Sequence, residues 1–139
     1  MEQTPGNQPP PETILFVEDE LLIRMDMAEF LRQSGYRVSE AANAAEALDV
    51  LSSKLAIDLV ITDVKMPGGM DGFALADWIQ SNRPGVEIIL ASADASSGER
   101  AKRSPQFAPF LAKPYTGRAL LDLVKEALSK RPTDASGAA

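Results

Sequence analysis

Four short apolar runs in this sequence each lead into side chains that can do chemistry. Glu18-Asp19 follows ILFV, Asp63 follows IDLVIT, Ser92 follows VEIILA and Lys113 follows FLA. If the runs are neighbouring parallel strands, three acids, a hydroxyl and an ammonium converge on one edge of a sheet. Carboxylates brought together in this way repel one another unless a cation such as Mg²⁺ lies among them. A carboxylate can also act as a nucleophile, so the pattern predicts phosphoryl transfer to an aspartate.

The composition excludes several other chemistries. The 139 residues include no cysteine and no histidine, so disulfides, thiolate metal sites and imidazole bases are absent and any metal must bind oxygen. Fourteen basic against twenty acidic residues give a net charge of −6, which disfavours nucleic acid as a direct partner. No apolar run approaches the ~20 residues of a membrane helix. Because no signal peptide is visible either, we expect a soluble, cytoplasmic protein.

The elements that must position these residues follow from the alternation of apolar runs with helical patterns. Continuous apolar runs are typical of strands that are buried on both faces of a parallel sheet. Between them, apolar residues recur at helical spacing, and Asn43, Asp71 and Thr116 are suited to capping the second, third and last helices. The predicted strands are 14–17, 36–41, 57–62, 86–91 and 110–112.

Five strands alternating with helices predict a doubly wound α/β fold. Its five-stranded parallel sheet would be flavodoxin-like, with strand order 2-1-3-4-5 and helices on both faces. We expect residues 13–131 to form this domain, 1–12 to be a flexible leader and 132–139 a flexible tail. The segment 94–105 is rich in serine and poor in apolar residues, which predicts a fourth helix that is short or distorted.

Taken together, these motifs resemble the receiver domain of two-component response regulators over roughly residues 12–131. The matching features are the acid pair Glu18-Asp19, the D-x-x-M-P run 63–67, Ser92 followed by alanine, and Lys113-Pro114. Each motif is weak alone, but at the ends of the predicted strands they form a specific set. The stretches FVEDELLIRMDMAEFL and ITDVKMPGGMDGFALA look most like stand-alone receivers that are common in alphaproteobacteria.

The resemblance implies a role for each acid. Asp63 would accept a phosphoryl group from a sensor histidine kinase or a phosphotransfer protein. Asp19, Asp63 and the backbone carbonyl of Lys65 would bind Mg²⁺, or Mn²⁺ in its place, and Glu18 would act through a metal-bound water. The domain would be a phosphoacceptor switch with only self-catalysed phosphotransfer and autodephosphorylation, rather than an enzyme.

The same resemblance implies how the phosphoryl group is sensed. Lys113 would pair with it, and the peptide bond between Lys113 and Pro114 would be cis. Ser92 would move toward the phosphate once it forms. Phe110 would occupy the aromatic switch position and turn inward with Ser92, altering contacts with a downstream protein.

The sequence also departs from the family pattern. Glu18 stands where aspartate is more usual, Ser92 replaces the commoner threonine, and residues 68–70 make a loop of three residues where many receivers have two. Lys65 and Asp94 flank the site, at positions that tune in this family how water reaches the phosphoryl group. We predict that these two side chains pair across the site and slow hydrolysis.

Two other functions are weighed against this one, and the first keeps the fold but not the chemistry. A pseudo-receiver would serve as an interaction module without phosphorylation, although the full set of acids and the lysine argues against it. A phosphohydrolase with an aspartyl nucleophile usually carries a second aspartate two residues later, where this chain has Lys65. The expected partners are a kinase or phosphotransfer protein and a downstream protein, and a homodimer stays open.

Overall fold

The computed structural model describes residues 10–103 and 109–131 of the chain. Most of the expected leader and all of the expected tail lie outside these residues, as does the end of the segment 94–105. Strands and helices alternate along the described chain. They are β1 (Thr13–Val17), α1 (Leu21–Gln33), β2 (Arg37–Ala41), α2 (Ala44–Leu51), β3 (Leu59–Asp63), α3 (Gly72–Asn82), β4 (Glu87–Ser92), α4 (Ala95–Lys102), β5 (Phe110–Ala112) and α5 (Gly117–Ser129).

The five strands form one parallel sheet in the order β2-β1-β3-β4-β5. This confirms the predicted doubly wound fold. The boundaries of four strands differ from the prediction by one or two residues. In particular, Asp63 and Ser92 are the last residues of β3 and β4 rather than the first residues after them. The register pairs Val17 with Thr62 and Asp63 with Ala91, so the carboxyl ends of β1, β3 and β4 lie side by side.

Hydrophobic cores lie on both faces of the sheet. One contains Leu15 and Val60 of the sheet packed against α2 and α3, for example against Ile79. The other contains Ile14 and Ile61 packed against α1 and α5. All five residues of β1 and of β3 are buried, which explains why these strands read as continuous apolar runs. Burial of each large aliphatic side chain contributes roughly 1.5–3 kcal/mol to folding.

Local side-chain caps begin three helices as predicted. The side chains of Asn43, Asp71 and Thr116 accept hydrogen bonds from backbone amides at the starts of α2, α3 and α5, at 2.9, 2.9 and 3.0 Å. α1 differs, because Glu20 at its N-cap position makes no side-chain cap. No helix within the described ranges is both long and apolar enough to cross a membrane.

The fourth helix is short, as predicted, but residues 95–102 form an α-helix, so distortion of that stretch is not found. Its low intrinsic propensity is offset by a cap at its N-terminus and by contacts on its inner face. The Asp94 carboxylate accepts hydrogen bonds from the Ser96 amide at 3.2 Å and from its hydroxyl at 2.8 Å. Ala101 is buried, and the Arg100 guanidinium lies 4.0 Å from the centre of the Phe73 ring.

Gly72 begins α3 directly beneath the end of β3. A Cβ atom there would lie against the carbonyl oxygen of Asp63 and 2.7 Å from the Cα of Val64, and both are backbone atoms. Alanine normally stabilises a helix relative to glycine, but here the backbone of the loop would have to move. We predict that Gly72→Ala lowers the free energy of unfolding by about 1–3 kcal/mol, measured by urea denaturation.

Gly69→Ala is the matched control, because nothing lies within 4 Å of a Cβ atom at this position of the same loop. Its free energy of unfolding should stay within about 0.5 kcal/mol of the wild-type value. Equal stability of the two variants would contradict the close approach of α3 to the end of β3.

Candidate functional site

Three carboxylates meet at the carboxyl ends of β1 and β3. Glu18 directly follows β1 and is 1% exposed, and Asp63 ends β3 at 6% exposed. Asp19 is exposed to solvent beside them. One carboxylate oxygen from each of the three residues lies within 4.8 Å of the others. Because β1 and β3 are neighbours in the sheet, the strand ends alone bring these acids together.

The Lys113 ammonium bridges the two buried acids of this cluster. Its Nζ atom lies 2.8 Å from Oδ1 of Asp63 and 3.0 Å from Oε1 of Glu18. Lys113 directly follows β5, and its backbone amide donates to the carbonyl of Ser92 at 3.1 Å. The peptide bond between Lys113 and Pro114 is cis. The ammonium therefore reaches over β4 to connect the ends of β5, β3 and β1.

The pKa values in this cluster are shifted by burial and because one ammonium, that of Lys113, is shared by two carboxylates. Burial raises the pKa of the Asp63 carboxyl from 3.8 to about 7, because the hydrogen bond from Lys113 offsets only part of the desolvation and the charge of Glu18 adds to it. Burial acts to lower the pKa of Lys113, but hydrogen bonds to Asp63 and Glu18 outweigh it and raise that pKa above its ordinary value. Both pKa values are raised, which favours the neutral form of Asp63 and the charged form of Lys113. The two shifts agree because the single ammonium is shared with a second acid, Glu18. Lys113 stays charged, and the Asp63 carboxyl is partly protonated near neutral pH.

Lys65 and Asp94 form an ion pair on the open side of the site, with Nζ 3.3 Å from Oδ2. The Lys65 side chain is 74% exposed, so solvent screens this ion pair and it contributes little to stability. Hydrogen bonds from the hydroxyl and amide of Ser96, followed by that from Lys65, hold the pKa of the Asp94 carboxyl below its usual value. The predicted pairing is present, and its effect on hydrolysis stays a prediction.

An open cleft of about 510 Å³ lies over these residues. Nearly all of the residues singled out in the sequence line it. They are Glu18, Asp19, Asp63, Lys65, Ser92, Asp94 and Lys113.

Phe110 does not line this cleft. Its half-buried ring packs beside Gly98 of α4, where an added Cβ would lie 3.3 Å from a ring carbon. A second cleft of about 410 Å³ is lined by both Phe110 and Ser92. The Ser92 hydroxyl accepts a hydrogen bond from the Asp94 amide at 3.0 Å. Ser92 therefore lies between the acidic cleft and the aromatic ring.

The donor set fits a hard divalent cation. Three carboxylates face one ammonium, so the cluster has an excess of negative charge and offers only oxygen ligands. Mg²⁺ prefers oxygen ligands and is commonly held by one or two carboxylates together with waters. Asp19 and Asp63 have the right chemistry to hold it directly, while buried Glu18 already accepts from Lys113 and from the Glu20 amide at 3.1 Å.

Sequence reasoning missed Arg24. This residue contacts the loop 18–20 between β1 and α1, which we call the acidic loop. Its Nη1 donates to the carbonyl oxygen of Glu18 at 2.9 Å, and the side chain is 17% exposed. A signal was available, because Arg24 is the first basic residue of the chain and follows the run of acids EDE in the first turn of a helix. The helix dipole disfavours a cation there, so the residue needs a specific partner.

Comparisons with known proteins show the family of this chain. Residues 14–125 match the model of the response regulator receiver domain. The transcriptional regulatory protein PdtaR of Mycobacterium tuberculosis is 40% identical over 122 residues, which are 86% of this chain and 58% of PdtaR. The chain therefore spans little more than half the length of this relative.

Solved structures show the same fold at similar coverage. A CheY-like receiver domain protein from Methanospirillum hungatei matches with a TM-score of 0.78 and 29% identity, over 86% of this chain and 95% of that one. The response regulator TrrA from Thermotoga maritima, solved in complex with Mg²⁺ and BeF, matches with a TM-score of 0.73 and 33% identity, over 84% and 99%. With the family model covering most of the folded chain, this protein belongs to the response regulator receiver domain family.

Proposed function

We propose that this receiver domain accepts a phosphoryl group on the carboxylate of Asp63 from a phosphohistidine donor. The observation that carries the proposal is the cluster at the strand ends. Carboxylate oxygens of Glu18, Asp19 and Asp63 lie within 4.8 Å of one another, and the Lys113 ammonium lies 2.8 Å from Asp63. A buried acid at the end of a rigid strand, opening into a cleft, is suited to in-line attack.

The acids of the cluster would hold Mg²⁺, or Mn²⁺ in its place. Asp19, Asp63 and the backbone carbonyl of Lys65 would bind it, with Glu18 acting through a metal-bound water. When bound, the cation neutralises negative charge on the transferring phosphoryl oxygens. The related TrrA was solved with Mg²⁺ and BeF, which supports this assignment.

In the transfer itself, an oxygen of the ionised Asp63 carboxylate forms a bond to phosphorus while the bond from phosphorus to the donor imidazole nitrogen breaks. The leaving nitrogen keeps the electron pair of that bond. Asp63 must be ionised to attack, so the proton that it retains near pH 7 has to leave first. Lys113 stays protonated, so its ammonium can pair with the Asp63 carboxylate before the transfer and with the phosphoryl oxygens after it.

The output of the switch would be a change in protein contacts. Ser92 lies between the acidic cleft and Phe110, so a hydroxyl drawn toward the new phosphoryl group would leave space for the ring to turn inward. We propose a sensor histidine kinase or a phosphotransfer protein upstream and a protein partner downstream. The domain would act as a switch rather than as a turnover enzyme, since Lys65 stands where a phosphohydrolase needs its second acid.

The direct test is intact mass after incubation with acetyl phosphate and Mg²⁺. The wild type should gain one phosphoryl group, about 80 Da, because Asp63 has an activated carboxylate in a cation site. Asp63→Asn should gain nothing. Asp77→Asn, which changes an exposed aspartate on α3, is the matched control and should be modified like the wild type.

An adduct that persists in Asp63→Asn would contradict the assignment of the acceptor. Absence of an adduct in a folded wild type that also fails to bind beryllium fluoride with Mg²⁺ would favour a pseudo-receiver, whose partner reads the unmodified fold. Beryllium fluoride binding without a detectable adduct would instead show that the phosphoryl group is lost faster than it is measured.

The Lys65–Asp94 ion pair generates a second prediction. It spans the open side of the cleft, 3.3 Å from Nζ to Oδ2, where water would approach a phosphoryl group on Asp63. Lys65→Ala should shorten the lifetime of the aspartyl phosphate about two- to fivefold, the equivalent of one exposed ion pair. The decay of the phosphorylated mass with time measures this lifetime.

Lys130→Ala is the control for this prediction. It removes another exposed lysine that, within 10–103 and 109–131, pairs with one acid, Glu126 at 4.0 Å, at the far end of α5. Its lifetime should match that of the wild type. An unchanged lifetime in Lys65→Ala would show that the pair does not restrict water.

A further inference from the structure

Arg24 ties the acidic loop to the second strand. Its Nη1 donates to the carbonyl oxygen of Glu18 at 2.9 Å, while its Nε lies 3.3 Å from Oε1 of Glu40 on β2. The other side of the same loop residue is also fixed, because the Glu18 amide donates to the carbonyl of Ala41 at 3.0 Å. The peptide groups on both sides of Glu18 are thus held by hydrogen bonds.

Asp19 depends on this backbone for its position. Its carboxylate is exposed, and among the described residues it makes neither a hydrogen bond nor an ion pair with another side chain. The carbonyl that Arg24 holds belongs to the peptide group joining Glu18 to Asp19. On the other side of Asp19, the Glu20 amide donates to Oε2 of Glu18 at 3.1 Å, while no side chain caps the first turn of α1 at Glu20.

Glu40 in turn holds the guanidinium in place. Its second oxygen, Oε2, lies 3.1 Å from Nη2 of Arg32, two turns further along α1. Arg24 is 17% exposed and Glu40 27%, so this contact is more sheltered than an ordinary surface pair. Only arginine can use one planar group to reach both a carboxylate and a carbonyl, because lysine presents a single nitrogen.

We propose that Arg24 is a positioning residue for the divalent-cation site, acting through the Glu18–Asp19 peptide group. It orients the backbone from which the Asp19 carboxylate projects toward Asp63. This rests on the proposed function, in which Asp19 and Asp63 together hold Mg²⁺. Arg24 itself touches neither the cation nor the phosphoryl group.

The direction in which Mg²⁺ affinity changes when Arg24 is replaced distinguishes a positioning role from a purely electrostatic effect of its charge. A guanidinium near three carboxylates repels a divalent cation, so its removal would strengthen Mg²⁺ binding if charge alone mattered. Loss of a residue that orients a metal ligand typically weakens binding by 10- to 100-fold. Arg24→Met, which keeps an unbranched apolar stem and removes the guanidinium with its charge, sets these effects against each other.

The test is a titration of the full chain with Mg²⁺ at constant ionic strength, in which amide NMR chemical shifts report binding. Arg24→Met should raise the Kd for Mg²⁺ about tenfold. Its amide shifts at Asp19 and Glu20 should already differ from the wild type before metal is added. Arg24→Lys should also bind more weakly than the wild type, since lysine lacks the two separate donors, Nε and Nη1, that contact Glu40 and the Glu18 carbonyl.

Arg32→Met is the matched control. It removes an arginine from the same helix and breaks a contact with the same Glu40, yet Arg32 does not contact the Glu18 carbonyl. Its Kd for Mg²⁺ should stay within about twofold of the wild-type value, while its urea stability falls about as much as that of Arg24→Met.

Binding by Arg24→Met as tight as that of the wild type, or tighter, would overturn the positioning role while leaving the proposed function intact. If Arg24→Met does not fold, Arg24→Lys decides, and a wild-type Kd in that variant overturns the role. Absence of Mg²⁺ binding in the wild type would overturn the metal site itself, and the role of Arg24 with it.

Discussion

The ammonium of Lys113, shared between Glu18 and Asp63, is the interaction on which the rest of the site depends. Two largely buried carboxylates at neighbouring strand ends could not remain close together without a cation between them. Lys113 reaches them from β5, over the intervening end of β4, at 3.0 and 2.8 Å. The sheet order β2-β1-β3-β4-β5 is therefore part of the chemistry, because it decides which strand ends can share one charge.

The single positive charge of Lys113 does not balance the three carboxylates of the site. This deficit of positive charge makes the protonation of Asp63 sensitive to pH and to added cations. Without metal, the folded-state pKa of Asp63 is about 7, above the ordinary 3.8. The carboxyl contributes its full stability to the fold below about pH 4 and loses that contribution as the pH rises through about 7. A divalent cation would reverse this penalty, since it would favour the ionised form of Asp63 that the proposed attack requires. Burial raises the pKa of Asp63, and the excess of carboxylates over ammonium groups both adds to that shift and makes the cluster suitable for a cation.

Much of this site could be predicted from sequence because its signals are local. An apolar run that stops at a charged residue marks a strand end, and Asp63 and Lys113 both follow such runs. The caps Asn43, Asp71 and Thr116 are also local, since each accepts from an amide three residues later. Once the strands are placed, the rule that sites form at the carboxyl ends of parallel strands brings the acids together.

The parts that were not predicted depend on contacts between distant segments. Arg24 bonds to Glu40 sixteen residues away, and only the folded positions of α1 and β2 bring the two side chains together. The regular course of α4 depends on its Asp94 cap and on burial of Ala101, which outweigh the poor helix propensity of its serines and glycine. The side chain of Asp94 thus has two roles, as a helix cap and as the partner of Lys65, and sequence reasoning recognised only the second.

The central claim is that Asp63 shares one ammonium with Glu18 and stays partly protonated until a divalent cation arrives. The most direct measurement is a pH titration of the Asp63 side-chain carbon by ¹³C NMR, assigned with Asp63→Asn, in EDTA and in saturating Mg²⁺. The account predicts a midpoint of about 7 without metal, and a midpoint lower by more than about one pH unit with Mg²⁺. A midpoint near 3.8 without metal, or one that Mg²⁺ leaves unchanged, would contradict it.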